Sequence, residues 1–110
     1  MTVHEQRKSR RFELRLPLEL LRNGSAELLE SGQTRNLSSS GVLFSSGARL
    51  EPGDVVEYVI TLPASPKNLE VRLRCKGKVI RRNPGLANAR EAAATLEKWE
   101  FIREHGPQPI

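Results

Sequence analysis

Glu70-Val71-Arg72-Leu73-Arg74-Cys75-Lys76-Gly77-Lys78-Val79 alternates charged residues with apolar or small ones along its whole length. Successive side chains of an extended strand point to opposite faces, so this order predicts a strand with one buried face and one wet face. Upstream, Asp54 to Leu62 sets Val56, Tyr58, Ile60 and Leu62 on one side of a second strand, and Gly41-Val42-Leu43-Phe44 gives a shorter third. Leu14 to Leu21 alternates around Pro17, which has no amide hydrogen to donate and so suits an edge or the start of a strand. Asn23-Gly24 predicts a tight hairpin turn into a strand running from Ala26 towards Arg35. Pro52-Gly53, Pro63 to Pro66 and Asn83-Pro84-Gly85 mark further turns. Short strands at this spacing predict an antiparallel sandwich or barrel.

Arg90 to Glu104 is open to two assignments. Three consecutive alanines, with Leu96, Trp99 and Ile102 at helical spacing, favour a helix. Thr95, Glu97, Trp99 and Phe101 alternate as in a strand. Local sequence does not choose between them.

A chain of 110 residues fits one domain, and 37% hydrophobic with 28% charged residues supports a modest core. No apolar run is long enough to span a membrane, and Met1 to Arg15 has charge without the apolar segment of a secretory signal. A cytoplasmic location is therefore expected. Cys75 has no second cysteine for a disulfide or zinc site and is expected to be a buried thiol. Gly106 to Ile110 is expected to be irregular and exposed. The net charge is +5, and Arg7, Lys8, Arg10, Arg11 and Arg15 crowd the first fifteen residues against Glu5 and Glu13. Charge alone leaves nucleic acid, a nucleotide, anionic lipid or no anionic partner open.

Little points to catalysis. His4 and His105 stand near opposite ends, beside no marked nucleophile and in no metal-ligand spacing. Asp54 is the only aspartate and sits in a Pro-Gly-Asp turn, where local hydrogen bonding is its expected role. A non-enzymatic protein with no cofactor and no metal is expected.

Two motifs remain. In Arg7-Lys8-Ser9-Arg10-Arg11, arginines four apart offer planar forks of donors for phosphate oxygens or the Hoogsteen edge of guanine. Taken alone, the motif reads equally as a solvated basic tail, and Arg11 to Arg15 repeats the spacing. In Asn36-Leu37-Ser38-Ser39-Ser40-Gly41, Asn36 and Ser38 alternate and so share a face of an extended strand end. An amide and a hydroxyl there can read a base edge or a phosphate, and Gly41 permits a positive φ or a close ligand approach. The plain alternative is a polar turn between strands.

Together and in this order, the motifs resemble those of the PilZ domain family, RxxxR in an N-terminal arm followed by D/N-x-S-x-x-G. Arg7 and Arg11 fill the first; Asn36, Ser38 and Gly41 fill the second. Arg11-Phe12-Glu13-Leu14-Arg15-Leu16-Pro17-Leu18 is similar to the family's lead into its first strand and fixes the frame on Arg7 and Arg11. Arg35-Asn36-Leu37-Ser38 and Gly41-Val42-Leu43-Phe44 are similar to its second-to-third strand corner, and the likeness runs from about Arg7 to Phe101.

The resemblance implies an all-β fold, a six-stranded antiparallel barrel with a flexible basic N-terminal arm, that binds cyclic di-GMP on its outer surface. It divides the single domain, 1–110, into an arm at 1–12, a barrel at about 13–103 and an irregular tail at 104–110. It implies that Arg7 and Arg11 grip phosphates and guanine, that Asn36 and Ser38 contact a guanine and the nearby ligand backbone, and that Gly41 shapes the turn. Lys8 and Arg10 are secondary contacts. Gln6 stands where many members have a further arginine that helps hold a second stacked ligand, which favours one bound molecule. The resemblance also makes Ala92 to Phe101 a closing strand, with Trp99 or Phe101 in the barrel wall as core. Ligand binding is expected to fold the arm across the barrel and present a new surface to a downstream protein partner.

Two rivals follow from the same residues. Arg72, Arg74, Lys76 and Lys78 form a basic stripe on one strand face, as in barrels that bind single-stranded nucleic acid. With only 5% aromatic residues the chain has few base-stacking platforms, so nucleic acid is not the expected partner. The other rival is a PilZ-like adaptor without a ligand, against which the complete motif pair argues.

Overall fold

The computed structural model describes residues 14–64, 69–83 and 90–102. The arm at 1–12 and the tail at 104–110 lie outside the described residues. Seven antiparallel strands are described: β1 Pro17–Asn23, β2 Ala26–Leu37, β3 Gly41–Ser46, β4 Val55–Ala64, β5 Leu69–Asn83, β6 Arg90–Thr95 and β7 Lys98–Ile102. Six of them close a ring in the order β1-β2-β3-β6-β5-β4, with β4 returning to β1. This is the expected six-stranded barrel. The seventh, β7, pairs with β5.

The alternation along β5 has the expected consequence. Cys75, Gly77 and Val79 are buried while Arg74, Lys76 and Lys78 are exposed. From β4 the ring receives Val56, Tyr58 and Ile60, from the β1 segment Leu16, Leu18 and Leu20, and from β3 Val42 and Phe44. Pro17 is the first residue of β1 and faces Gln33 of β2, while the β4 ladder begins one residue later at Leu18. Asn23-Gly24 makes the expected hairpin, with Gly24 at φ 65°. Asp54 bonds within its turn as expected, its Oδ2 accepting from the Glu51 amide at 2.8 Å, and also reaches the distant β1–β2 hairpin, accepting from Asn23 Nδ2 at 2.9 Å.

The contested segment is extended, in two strands rather than one. β6 completes ladders to both β3 and β5, and these long-range pairings override the helix preference of its alanines. Ala92, Ala93 and Ala94 are buried. The break at Leu96–Glu97 falls where β5 changes partner. Residues 79–83 of β5 pair with β6, whereas 72–76 pair with β7. At the changeover, a Cβ on Gly77 would lie 1.8 Å from the Thr95 carbonyl oxygen, so only glycine admits this crossing. Tyr58 donates its hydroxyl to the same Thr95 oxygen at 3.0 Å.

One expectation fails. Trp99 and Phe101 are not core: they are 55% and 58% exposed and pair edge-to-face with ring centroids 5.4 Å apart. The 15-residue β5 is longer than its barrel neighbour β6, so β7 continues along β5 outside the closed ring. Alternation gave these side chains the correct face of a strand whose position lies beyond the enclosed interior.

Candidate functional site

The second motif forms the β2–β3 corner, and its geometry begins at Thr34. This residue is fully buried. Its Oγ1 accepts from the Leu16 amide at 2.9 Å and donates to the Leu14 carbonyl, and its own amide donates to the Leu16 carbonyl at 2.9 Å. Leu14 to Leu16, the lead into β1, is thereby strapped to β2 two positions before Asn36. Sequence reasoning missed Thr34. Its available signal was a hydroxyl in phase with Asn36 on a strand face that packs inward, where it needs a partner.

Between Thr34 and Asn36 the β2–β3 register slips. The extra residue, Arg35, is exposed and ion-paired with Glu91 of β6. The slip brings Asn36 opposite Leu43, half-buried. Among the described residues, no side-chain hydrogen bond engages its amide. Ser38 is occupied within the turn: its amide donates to the Gly41 carbonyl at 3.0 Å, and its Oγ accepts from the Ser40 amide at 3.2 Å. Ser38 Oγ also lies 3.4 Å from the Gly41 carbonyl. The hydroxyl thus holds the corner's shape.

Gly41 does not have a positive φ; among the described residues only Gly24, Gly53 and Leu29 do. Its requirement is close approach to β6, since a Cβ there would stand 2.9 Å from the Ala94 carbonyl oxygen. The Ser40 carbonyl accepts from the Leu96 amide at 2.9 Å, tying the corner to the start of the β6–β7 break.

The structure therefore gathers Asn36, Ser38 and Gly41 at one corner. Arg7, Lys8, Arg10 and Arg11 lie outside the described residues. A groove of about 380 Å³ opens near Ser46, Arg49, Arg82 and Arg90, by the other end of β3, so it is separate from this corner. Two of its basic side chains are engaged, Arg82 with Glu51 at 3.7 Å and Arg90 with the Gly47 carbonyl at 3.1 Å.

The basic stripe on β5 is partly neutralised by neighbouring strands: Arg72 meets Glu19 at 3.8 Å and Arg74 meets Glu57 at 3.2 Å. Trp99 is opposite Cys75 and Phe101 opposite Leu73, so the exposed aromatics share the core face of β5. The stripe occupies the other face. Trp99 nevertheless shares an open groove with Arg74, Lys76 and Lys98, whose charge Glu57, Glu97 and Glu100 offset, so the groove lacks the uniform positive charge that neutralises a nucleic-acid strand.

Among the described residues, no group of three or more His, Cys, Asp or Glu is placed to hold a metal ion. Burial pushes the Cys75 thiol up to about 12. Burial, then the proximity of Cys75 and Glu97, raises the Tyr58 phenol well above its ordinary value. Neither group is ionised at neutral pH. No helix among the described residues is long and apolar enough to cross a membrane.

Residues 5–94 match the family described as PilZ domain. No curated protein matches the chain. Among solved structures, the fold is similar to that of the Bacillus subtilis inhibitor of motility, MotI/DgrA, with a TM-score of 0.66 and 15% sequence identity. That similarity covers 86% of this chain and 44% of the other, so the chain spans less than half the length of that neighbour.

Proposed function

The chain belongs to the PilZ domain family, and from that premise we propose that it is a receptor for cyclic di-GMP which signals by folding its basic arm over the bound ligand. The observation that carries the proposal is the state of Asn36. Its amide is half-buried and unengaged by any described side chain or backbone group, two residues before the turn that Ser38 holds. An amide presents a donor and an acceptor together, the complement of a guanine edge. Arg7 and Arg11 supply the charge for the two phosphates, assisted by Lys8 and Arg10. The strap at Thr34 holds Leu14 to Leu16 against β2, close to Asn36, and this supports a short path from the arginines upstream to a ligand held there. The protein acts without catalysis, in the cytoplasm, and hands the ordered arm to a downstream protein partner.

Calorimetric titration of the chain with cyclic di-GMP tests this, beside Arg11→Ala and a GTP control. The expected result is saturable binding to the wild type at one molecule per chain, lost in the variant and absent with GTP. Amide hydrogen exchange in the arm should slow at saturation. No heat at high ligand concentration would leave the adaptor reading; binding without slower exchange would remove the arm from the mechanism.

A further inference from the structure

We propose that the outer edge of β7 is a docking site for a second copy of this chain, joined as an antiparallel strand pair centred on Trp99. Within the described residues β7 pairs with β5 along one edge and with no strand along the other. A strand edge leaves backbone donors and acceptors unpaired and is a template for another strand. This one also carries two large exposed aromatic rings, 55% and 58% accessible and packed on each other. Aromatic pairs of this kind are common anchors of protein interfaces.

The sequence Lys98-Trp99-Glu100-Phe101-Ile102 identifies the occupant by its charges. Directly opposed residues of an antiparallel pair share a face. A two-fold axis that keeps both aromatic faces on one side of the joined sheet must therefore pass through a residue. Centred on Glu100, it opposes Glu100 with itself; centred on Lys98, it opposes two lysines. Centred on Phe101, it sets Glu100 against Ile102. Centred on Trp99, it sets Lys98 against Glu100 of the second copy, twice, and Trp99 against its own copy. Among pairings within β7, Lys98 to Ile102, only this register matches opposite charges.

The β5–β7 ladder supplies a separate reason. Lys98 lies directly opposite Lys76, a pairing of like charges that weakens a sheet. In the Trp99-centred dimer, Glu100 of the second copy adjoins Lys98 on its other side and offsets that repulsion. The edge is thus complementary to itself, although within one chain the same ladder also sets Glu100 opposite Arg74, a favourable pair. The interface is isologous, as a two-fold dimer requires. It uses none of the residues assigned to the ligand, so it stands or falls separately from the receptor proposal.

Sedimentation velocity of the full chain over a range of concentrations, without ligand, is the test. The wild type should dimerise, and Lys98→Glu and Glu100→Lys should each weaken the dimer by about tenfold or more. Lys98→Glu removes the clash with Lys76, whereas Glu100→Lys sets a lysine opposite Arg74, so weaker assembly counts only in a variant whose β-sheet circular dichroism matches the wild type's. The double exchange, Lys98→Glu with Glu100→Lys, should restore dimerisation. A wild type that stays monomeric at high concentration would overturn the proposal, as would a dimer unmoved by the single reversals or not restored by the double exchange.

Discussion

Leu29 adopts a left-handed φ of 54° although it has a side chain. It arises because the β1–β2 register slips between Leu20↔Glu30 and Arg22↔Glu27, setting Leu28 and Leu29 against the single Leu21 in a bulge with one extra residue. The Leu29 side chain is 66% exposed, so little packing offsets the crowding of its Cβ against the backbone. Glycine has no Cβ and is at ease at this angle, though it loses more entropy on folding. Leu29→Gly should therefore stabilise the protein by about 0.5–1 kcal/mol, read as a higher urea midpoint. A lower midpoint would mean that the leucine packs in a way its exposure does not suggest. The bulge was not legible in the sequence, because a register slip depends on how two strands align rather than on either alone. Gly77 was likewise read only as a small inward residue of an alternating run. Its need for glycine appears when Thr95, eighteen positions later, crosses over it.

The strands of the ring were legible wherever one face is enclosed, as in β5 and in β4 from Val56 to Ile60, because enclosure imposes the period of two. Arg90 to Ile102 was not, because its alanines satisfy either period and the decision lies with the edges of β3 and β5. Of the candidate site, Asn36, Ser38 and Gly41 were legible as a motif, whereas the strap that holds Leu14 to Leu16 against β2 was not. That strap depends on one hydroxyl. Thr34→Val keeps the shape, removes both hydroxyl bonds and leaves the buried Leu16 amide without a partner. Such a loss costs about 1–3 kcal/mol. The expected outcome is destabilisation of that size, with faster hydrogen exchange at the Leu16 amide and weaker cyclic di-GMP binding. Unchanged exchange at Leu16 would show that the strap does not hold the lead into β1.

The closed ring as a whole encloses the chain's one tyrosine and one cysteine, and its tolerance of alkali follows from them. Tyr58 stacks on Phe44 with ring centroids 6.3 Å apart and donates to Thr95 at the changeover between β6 and β7. Cys75 lies opposite Tyr58 on the adjacent strand. Both groups are neutral when protonated, and burial opposes the loss of either proton. Raised pKa values in the native state mean that, with rising pH, the unfolded chain releases these protons first. Stability is thus unaffected by the pair below the ordinary thiol value of 9.0 and falls as pH rises above it, with the Cys75 contribution exhausted near its native value of about 12. The phenol adds to the fall from its ordinary value of 10.0 upward. With one tyrosine in the sequence, phenolate absorbance reports Tyr58 alone, and a thiol reagent reports Cys75 alone. Phenolate should appear only together with loss of the β-sheet circular dichroism, and Cys75 should resist labelling until the same point. Tyr58→Phe with Cys75→Ala should flatten the part of the alkaline decline that begins near 9.0. A phenolate signal rising near 10.0 while the sheet signal stays intact would show that the ring admits water to its centre and does not hold the two groups neutral.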